Sequence, residues 1–329
     1  MRFWKAKTVQ TSPTALVLLL KNQSKITNVS FNAKRVAEIL GISLTTLALV
    51  ALPSTASRSA SLTLTTSHTQ VLLGPGDHPE AFSLNGLSRF YIVHIPPGKP
   101  VADRPLILVF PGAGDTASIT ISKTDFEQVA NQTGDVVAFL QGYAHIFDEG
   151  TGNNSARRAN IDDIAYTSAV LNALRPLVAY NVQRVAGTGY SNGAMMVQLL
   201  GCRLADRLSL IVPVEGELPS PISPGCTPSR ALNVYEIHGT ADPVIPYNGG
   251  TFAGTGGPIT VLSAPESAQR WANIDKCKQG PTDVPNQGYS ITRYVNCQSG
   301  VTVTLRTIDS GLHVWGDNIG DIVTQSLGK

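Results

Sequence analysis

The chain has 329 residues, of which 42% are hydrophobic and 15% are charged, a composition that suits one large globular domain with a full core. Seven of its 25 basic residues and one of its 23 acidic residues fall within residues 1–56, so the remaining body carries 18 basic and 22 acidic residues, a net charge of −4. A slightly acidic body excludes the strong positive patch of a typical nucleic-acid-binding domain, and we expect no nucleic-acid partner.

The N-terminal region has the three parts of a secretory signal. An uncharged apolar run, Ile39–Leu52, follows Lys34 and Arg35, and the small residues of Pro53–Ala56 come next. Because the run is too short to span a bilayer comfortably, we predict a cleaved leader over residues 1–56. The alternative is a buried N-terminal helix. The mature protein is expected to be secreted, outside the cell or into the periplasm, and to meet a membrane only through the leader.

Residues 57–80, which begin rich in serine and threonine, are predicted to form a loose N-terminal arm. Beyond them, continuous apolar runs predict buried parallel strands, and apolar residues at three-to-four spacing predict helices. The predicted strands are Arg89–Ile95, Pro105–Phe110, Asp135–Leu140, Val182–Ala186, Leu208–Val214, Leu232–Ile237 and Val301–Ile308. The predicted helices are Asn160–Leu177, Ala194–Leu204, Ser263–Asp275 and Asn318–Leu327.

This alternation of strands and helices is typical of βαβ units with right-handed crossovers. No internal repeat and no long linker interrupts it. The sequence therefore predicts one α/β domain over residues 81–329, with a mostly parallel central sheet and helices on both faces.

All four cysteines lie in the second half of the chain, and an even number in an exported protein indicates disulfides. Of the three pairings that four cysteines allow, we favour Cys202 with Cys226 and Cys277 with Cys297, because these close short loops. The alternative is four unpaired core thiols. The chain contains no C-x-x-C motif and no cluster of histidines, so we expect no metal site.

The segment Gly187–Ala194 contains the pattern G-x-S-x-G, with Ser191 at its centre. The pattern alone is weak, since chains rich in serine and glycine match it by chance. Here a predicted strand ends before it and a predicted helix follows, which is the setting of a nucleophile on a sharp strand-to-helix turn. The alternative is a serine that only caps the helix.

The partners of Ser191 follow by elimination, because in this arrangement the acid and then the histidine come after the serine. Only His238 and His313 follow Ser191, and His238 precedes the best acid, Asp242. His313 lies just past the last strand, where a loop can carry it over the sheet as the base. Asp309 is the second choice of acid. We predict the triad Ser191, Asp242 and His313.

An oxyanion hole needs two backbone N–H groups. Asn192, directly after the nucleophile, supplies one, and the turn after Phe110 supplies the other, with Ala113 as first choice and Gly114 as second. The aromatic candidates for substrate binding are Tyr190, Trp315 and Tyr143, with packing in the core as the alternative for Tyr190 and Trp315. Trp271 is expected to pack its helix in the core.

These motifs resemble the family of secreted polyhydroxybutyrate depolymerase-like and feruloyl esterase-like hydrolases. The segments that carry the resemblance are Phe90–Pro96, Asp162–Asp163, Gly187–Met196, His238–Pro246, Trp271 ahead of Cys277, and Gly311–Trp315. The resemblance implies an α/β-hydrolase domain that cleaves carboxylic esters without a cofactor. It also places the family's nucleophile, acid and base on Ser191, Asp242 and His313.

The chain departs from this family at two positions. Pro111–Gly112 stands where the family usually has His-Gly, and Gly316–Asp317 follows Trp315 where the family often has Pro-Gly. No threonine-rich linker or second binding domain follows, which favours soluble or small esters over crystalline polyester. The expected substrates are hydroxyalkanoate oligomers, with feruloyl or acetyl esters of plant polysaccharide as the alternative.

Two other classes of protein compete with an esterase. A serine peptidase could use the same fold, although the sequence marks no site for an N-terminal amine. A secreted scaffold without activity could keep the fold, although it would not need all three triad residues. Labelling of Ser191 by a fluorophosphonate separates enzyme from scaffold, and peptide substrates separate peptidase from esterase.

Overall fold

The computed structural model describes residues 72–98, 101, 103–152 and 154–328. The predicted leader, residues 1–56, and most of the predicted arm lie outside them. Within the range predicted as a loose arm, however, the first strand already begins at Gly76 and is fully paired with its neighbour. Among these described residues, no helix is both long and apolar enough to cross a bilayer.

In the part of the chain that the structure describes, ten strands form one sheet and two more form a separate hairpin. In chain order the strands are β1 (Gly76–Leu84), β2 (Leu87–Ile95), β3 (Leu106–Phe110), β4 (Val136–Leu140), β5 (Val185–Tyr190), β6 (Leu210–Val214), β7 (Asn233–Gly239), β8 (Gly250–Gly254), β9 (Gly257–Val261), β10 (Gln279–Asn286), β11 (Tyr289–Val295) and β12 (Val303–Ile308). The order across the sheet is β1-β2-β4-β3-β5-β6-β7-β12-β11-β10, and β8 pairs with β9.

The centre of the sheet is parallel, from β4 through β3, β5, β6 and β7 to β12. At each edge the sheet continues with antiparallel strands, β2 and β1 on one side and β11 and β10 on the other. Strand β10 is exposed along its whole length and contains Pro281 and Pro285, which an edge strand tolerates because proline cannot donate to a ladder. The predicted α/β class with a mostly parallel sheet is confirmed.

Helices connect the parallel strands, and only the last four of them in chain order are those that the three-to-four spacing predicts. They are α1 (Ala117–Lys123), α2 (Phe126–Thr133), α3 (Ser155–Arg158), α4 (Asp163–Leu177), α5 (Asn192–Arg203), α6 (Ala264–Ile274) and α7 (Ile319–Leu327). Local caps explain several of the boundaries. Asp162 caps α4 by accepting from the Ala165 amide at 2.8 Å, and Ser263 and Glu266 form a reciprocal capping box on α6.

The core lies on both faces of the sheet because successive side chains of a strand point to opposite sides. Leu106, Leu108 and Phe110 of β3 belong to one buried cluster, and Ile107 and Val109 belong to the other. A strand that is buried on both faces needs apolar side chains at every position. This explains why β3 and β4 are continuous apolar runs in the sequence.

Strand β5 extends further toward its carboxyl end than predicted, to Tyr190 instead of Ala186. Glycine has a low strand propensity, so Gly187 and Gly189 concealed the strand in the sequence. In the fold, β5 lies between β3 and β6, and helix α5 packs directly on it. Small residues are suited to that crowded position.

The cysteines form two disulfides, Cys202–Cys226 and Cys277–Cys297. This is the local pairing that the sequence favours. The first bridge joins helix α5 to the segment that follows β6, and the second joins the segment after α6 to the segment after β11. Disulfides of this kind are typical of proteins that mature in an oxidising compartment.

Candidate active site

Ser191 lies on the sharp turn between β5 and α5, in a backbone conformation of φ 57° and ψ −117°. This left-handed conformation is strained for a residue with a side chain. The turn is tight enough that a Cβ on Gly189 would collide with the backbone of Gly193, and a Cβ on Gly193 would collide with the carbonyl of Phe110. Ser191 makes no side-chain cap bond to the helix, which disfavours the interpretation as a plain helix cap.

The predicted base lies next to the predicted nucleophile. His313 is in the loop between β12 and α7, and its Nε2 is 2.9 Å from Ser191 Oγ. The Tyr190 hydroxyl donates to the backbone carbonyl of His313 at 2.8 Å, and the two rings lie 4.8 Å apart. Tyr190, the residue before the predicted nucleophile, therefore holds the loop that carries the predicted base.

The predicted acid lies next to the predicted base, on the side away from Ser191. Asp242 follows β7, and its Oδ2 is 2.6 Å from His313 Nδ1. Its Oδ1 accepts the backbone amides of Val244 at 2.7 Å and Ile245 at 2.9 Å. Burial alone would raise the pKa of Asp242, but the hydrogen bonds from His238, His313 and the Val244 amide hold that pKa well below its usual value. Asp242 is therefore ionised throughout the neutral range.

The two predicted oxyanion donors, Ala113 and Asn192, line the same cavity as Ser191 and His313. Neither backbone N–H donates to an acceptor in the part of the chain that the structure describes. The second-choice donor, Gly114, is already used, because its amide donates to the His145 carbonyl at 2.8 Å. The absence of such an acceptor among the described residues is compatible with the predicted role of Ala113 and Asn192 as oxyanion donors.

A buried polar cluster that the sequence did not indicate holds Asn192 in place. The Asn192 side chain accepts the Phe147 amide at 2.9 Å and donates to Glu149 at 3.0 Å. Asn154 and Thr151 also donate to the Glu149 carboxyl, which is fully buried. Burial raises the pKa of Glu149. These contacts position the start of α5 and with it the backbone amide of Asn192, the predicted oxyanion donor.

The cavity beside Ser191 measures about 290 Å³ and has one apolar wall. That wall is built by the β8–β9 hairpin, whose Phe252 and Ile259 pack with Met195 and Ile245 in a small separate core cluster. The remaining lining residues are Ala113, Asn154, Tyr190, Ser191, Asn192, Val244, Ala253, Gly254, Thr255 and His313. The hairpin is anchored by the Ser220 amide, which donates to the Thr260 carbonyl at 2.9 Å.

The three aromatic residues predicted to bind substrate differ in whether they line the cavity beside Ser191. Tyr190 lines the cavity. Trp315 does not line it: the side chain is 6% exposed and packs edge-on against Phe126 in the core, so its prediction as a substrate-binding residue is corrected to core packing. Tyr143 is partly exposed and is not among the cavity-lining residues. Trp271 is fully buried, as expected, and donates to Gln198 at 2.6 Å.

Beneath the acid lies a second buried cluster of charged groups. His238 Nε2 is 3.3 Å from both Asp242 Oδ2 and Glu215 Oε2, and His238 Nδ1 contacts Glu217. Burial raises the pKa of Glu215 to about 8. Burial alone would lower the pKa of His238, but the carboxylates of Glu217, Asp242 and Glu215 raise it strongly. The sequence placed His238 near the acid but contained no sign of these partners.

Two clusters within the described residues combine histidine and carboxylate atoms at distances that a metal ion could bridge. One is Glu215, His238 and Asp242, and the other is Asp77, His94 and Glu127. Both ring nitrogens of His94 are already engaged, with Asp77 at 2.5 Å and Asn131 at 2.9 Å. Protein groups alone account for the contacts in each cluster.

Comparison with known proteins shows that the chain is similar to proteins named as esterases. No family model matches the chain. The chain is 30% identical over 216 residues to feruloyl esterase B of Piromyces equi, covering 65% of this chain and 40% of that protein. It is 27% identical over 246 residues to NocK of Nocardia uniformis subsp. tsuyamanensis, a supposed esterase by name, covering 70% and 71% of the two chains.

Among solved structures, the acetyl xylan esterase from Aspergillus awamori superposes with a TM-score of 0.50 at 12% identity, covering 73% of this chain and 94% of that one. The chain has the α/β-hydrolase fold. Its similarity to proteins named as esterases supports the carboxylic ester hydrolase that the sequence predicts. The chain spans only about two fifths of the length of feruloyl esterase B.

Proposed function

We propose that this protein hydrolyses carboxylic esters, with Ser191 as nucleophile, His313 as general base and Asp242 as the acid that orients it. The observation that carries the proposal is the unbroken row of contacts from Ser191 Oγ to His313 Nε2 (2.9 Å) and from His313 Nδ1 to Asp242 Oδ2 (2.6 Å). The row lies at the carboxyl ends of β5, β7 and β12, where α/β sheets bind their ligands.

In the first half of the reaction, His313 Nε2 takes the proton of Ser191 Oγ as the oxygen attacks the ester carbonyl carbon. The carbonyl oxygen becomes an oxyanion, which the amides of Ala113 and Asn192 stabilise. His313 then gives its proton to the leaving alkoxide, so that the ester C–O bond breaks, the alcohol departs and an acyl-serine ester remains.

In the second half, a water molecule replaces the alcohol. His313 takes one of its protons as the water oxygen attacks the acyl carbon, and the proton is returned to Ser191 Oγ as the acyl-serine bond breaks. The carboxylic acid leaves and the free enzyme is restored. Throughout, Asp242 stabilises the imidazolium and keeps Nε2 of His313 directed at Ser191.

For the substrate, we propose soluble hydroxyalkanoate oligomers, which the resemblance in the sequence implies. The second candidate is a feruloyl or acetyl ester of plant polysaccharide, which the names of feruloyl esterase B and of the acetyl xylan esterase favour. The apolar wall formed by Phe252, Ile259 and Ile245 is suited to the hydrocarbon part of an acyl group in either case.

We further propose that the catalytic domain, predicted to begin at residue 81, includes the whole of β1 from Gly76 and is secreted after loss of residues 1–56. Support comes from the two disulfides, which are typical of an oxidising compartment. Mass spectrometry of the native protein should show an N-terminus at Ser57. Retention of residues 1–56 on the native protein would contradict the cleavage.

The deciding experiment measures acid release from methyl ferulate, p-nitrophenyl butyrate, acetylated xylan and hydroxybutyrate oligomers by the wild type and Ser191→Ala. We expect turnover of at least one ester by the wild type and none by the variant, and the preferred ester identifies the substrate class. A fluorophosphonate should label only the wild type. Equal activity of the wild type and Ser191→Ala would show that Ser191 is not the nucleophile. If both proteins are folded but inactive, the alternative of a secreted scaffold without activity is favoured.

A further inference from the structure

His238 is a second histidine that approaches the same oxygen of the acid as the base does. His313 Nδ1 lies 2.6 Å from Asp242 Oδ2, and His238 Nε2 lies 3.3 Å from that atom. The His238 side chain is 1% exposed, whereas that of His313 is 11% exposed and lines the cavity. His238 therefore cannot touch a substrate, but it lies in contact with the residue that orients the base.

The contacts of His238 determine where its protons are. Its Nε2 lies 3.0 Å from the Ile245 carbonyl, which can only accept, so Nε2 carries a hydrogen. Its Nδ1 contacts the Glu217 carboxyl, which is 3% exposed, and Glu215 Oε2 lies 3.3 Å from Nε2. The ring thus contacts the ionised Asp242 carboxylate and the buried Glu217 carboxyl, and these two contacts stabilise it as the doubly protonated cation.

Other titratable groups near this ring act through those contacts or across a longer distance. The Tyr247 ring packs edge-on against His238 at 5.9 Å, and its hydroxyl lies 3.0 Å from Thr307. The buried Glu236 interacts electrostatically with both Glu217 and His238, and its own carboxyl accepts from Gln198 at 2.7 Å. The base itself, His313, faces His238 only across Asp242.

We propose that His238 is a positioning residue of this site: a buried imidazolium, balanced by Glu217, that holds the Asp242 carboxylate and sets the pH at which His313 becomes a base. The proposal rests on the proposed function, in which Asp242 orients His313. A cation beside Asp242 offsets part of the negative charge that His313 feels, so His313 releases its proton at a lower pH than it would beside Asp242 alone.

Two neutral substitutions should shift the active pH range in opposite directions. In His238→Gln the cation is lost, so the acid limb of the pH profile of kcat/KM should move to a pH about one unit higher. In Glu217→Gln the counter-charge is lost while the cation stays beside Glu215 and Asp242, so the limb should move down by a similar amount. The double variant removes one charge of each sign and should return the limb close to that of the wild type.

The same shifts should appear without turnover, in the NMR titration of ¹³C-labelled His313 in each variant. His94→Gln is the matched control, because His94 is also buried and paired with a carboxylate but contacts none of these residues. It should leave both readouts unchanged. A purely structural role of His238 would lower the thermal stability of both variants without shifting their titrations in opposite directions.

The proposal would be overturned if the midpoints of the kcat/KM pH profile and of the His313 NMR titration stayed unchanged in the folded variants. It would also be overturned if both variants shifted them in the same direction. If either variant fails to fold, the wild type still decides, because its His238 ring should show imidazolium carbon shifts up to at least pH 8. A neutral His238 ring at pH 7 would overturn it. If the wild type hydrolyses no ester while the NMR shifts appear, the proposed function fails and the electrostatic coupling of His238 to His313 stands.

Discussion

Replacement of Asp242 by asparagine should remove the base function of His313 without removing its ring. Four N–H groups face the Asp242 carboxylate, two from the backbone on Oδ1 and two from imidazole rings near Oδ2. Asparagine offers one oxygen instead of two. That oxygen will remain on the Val244 and Ile245 amides, whose bonds of 2.7 and 2.9 Å are set by the turn.

The side-chain amide nitrogen of the introduced asparagine would then face His313 Nδ1, which must become the acceptor. The imidazole hydrogen moves to Nε2, where it blocks acceptance of the Ser191 proton. A base held in the wrong tautomer lowers kcat by about 10⁴ in the Ser-His-Asp template, which corresponds to about 5.5 kcal/mol of lost transition-state stabilisation. We therefore expect a decrease of about four orders of magnitude in kcat for the Asp242→Asn variant.

The assay is steady-state hydrolysis of p-nitrophenyl butyrate at pH 7, with circular dichroism to check that the variant is folded. Asp309→Asn is the matched control, because Asp309 was the second choice of acid from the sequence and is exposed. It should keep kcat within two-fold of the wild type. A folded Asp242→Asn enzyme with more than a tenth of wild-type kcat would refute the assignment of the acid.

Three further predictions concern stability, pH and specificity. Replacing Cys202 and Cys226 together by alanine opens a bridge with a sequence separation of 24, and urea denaturation should show a loss of about 3 kcal/mol in the free energy of unfolding; an unchanged midpoint would contradict this. Burial raises the pKa of Asp275 from 3.8 to about 7, so the folded protein retains a proton that the unfolded chain releases, and this group's contribution to stability falls as the pH rises through that window. Between pH 4 and 8 the melting temperature of Asp275→Asn should therefore fall less steeply with pH than that of the wild type. Equal slopes for the two proteins would count against a raised pKa of the buried Asp275 carboxyl. Phe252→Ala should lower kcat/KM for butyryl and aromatic acyl esters about ten-fold more than for acetyl esters, because it removes apolar surface from the cavity wall; an equal loss for all esters would place Phe252 outside the acyl site.

The sequence alone determined the features that depend on neighbouring residues. Continuous apolar runs predicted β3, β4 and β6, because a strand covered on both faces has no polar side to show. The glycines around Ser191 predicted the tight turn, because no other residue leaves room for the crossing backbone. The order of serine, acid and histidine along the chain selected Asp242 as the candidate acid and His313 as the candidate base.

Elements whose partners are distant in the chain were missed or only partly predicted. The β8–β9 hairpin was not predicted, because its strands are short and rich in glycine, and its stability comes from packing against Met195 and Ile245. Strands β10 and β11 were also missed; β10 is an exposed edge strand with two prolines and therefore has no apolar pattern. The sequence left Trp315 open between substrate binding and core packing, and contacts with Phe126 and Tyr190 place its ring in the core.

Only the tertiary structure decided how the functional groups meet. Ser191 and His313 are separated by 122 residues and Asp242 and His313 by 71, and the parallel sheet brings all three to one edge because parallel strands share a carboxyl end. The cluster of Glu215, Glu217 and His238 has no signature in the sequence, since each residue type is ordinary at its own position. Its charges become coupled only when folding removes them from water, and burial is a property of the whole fold.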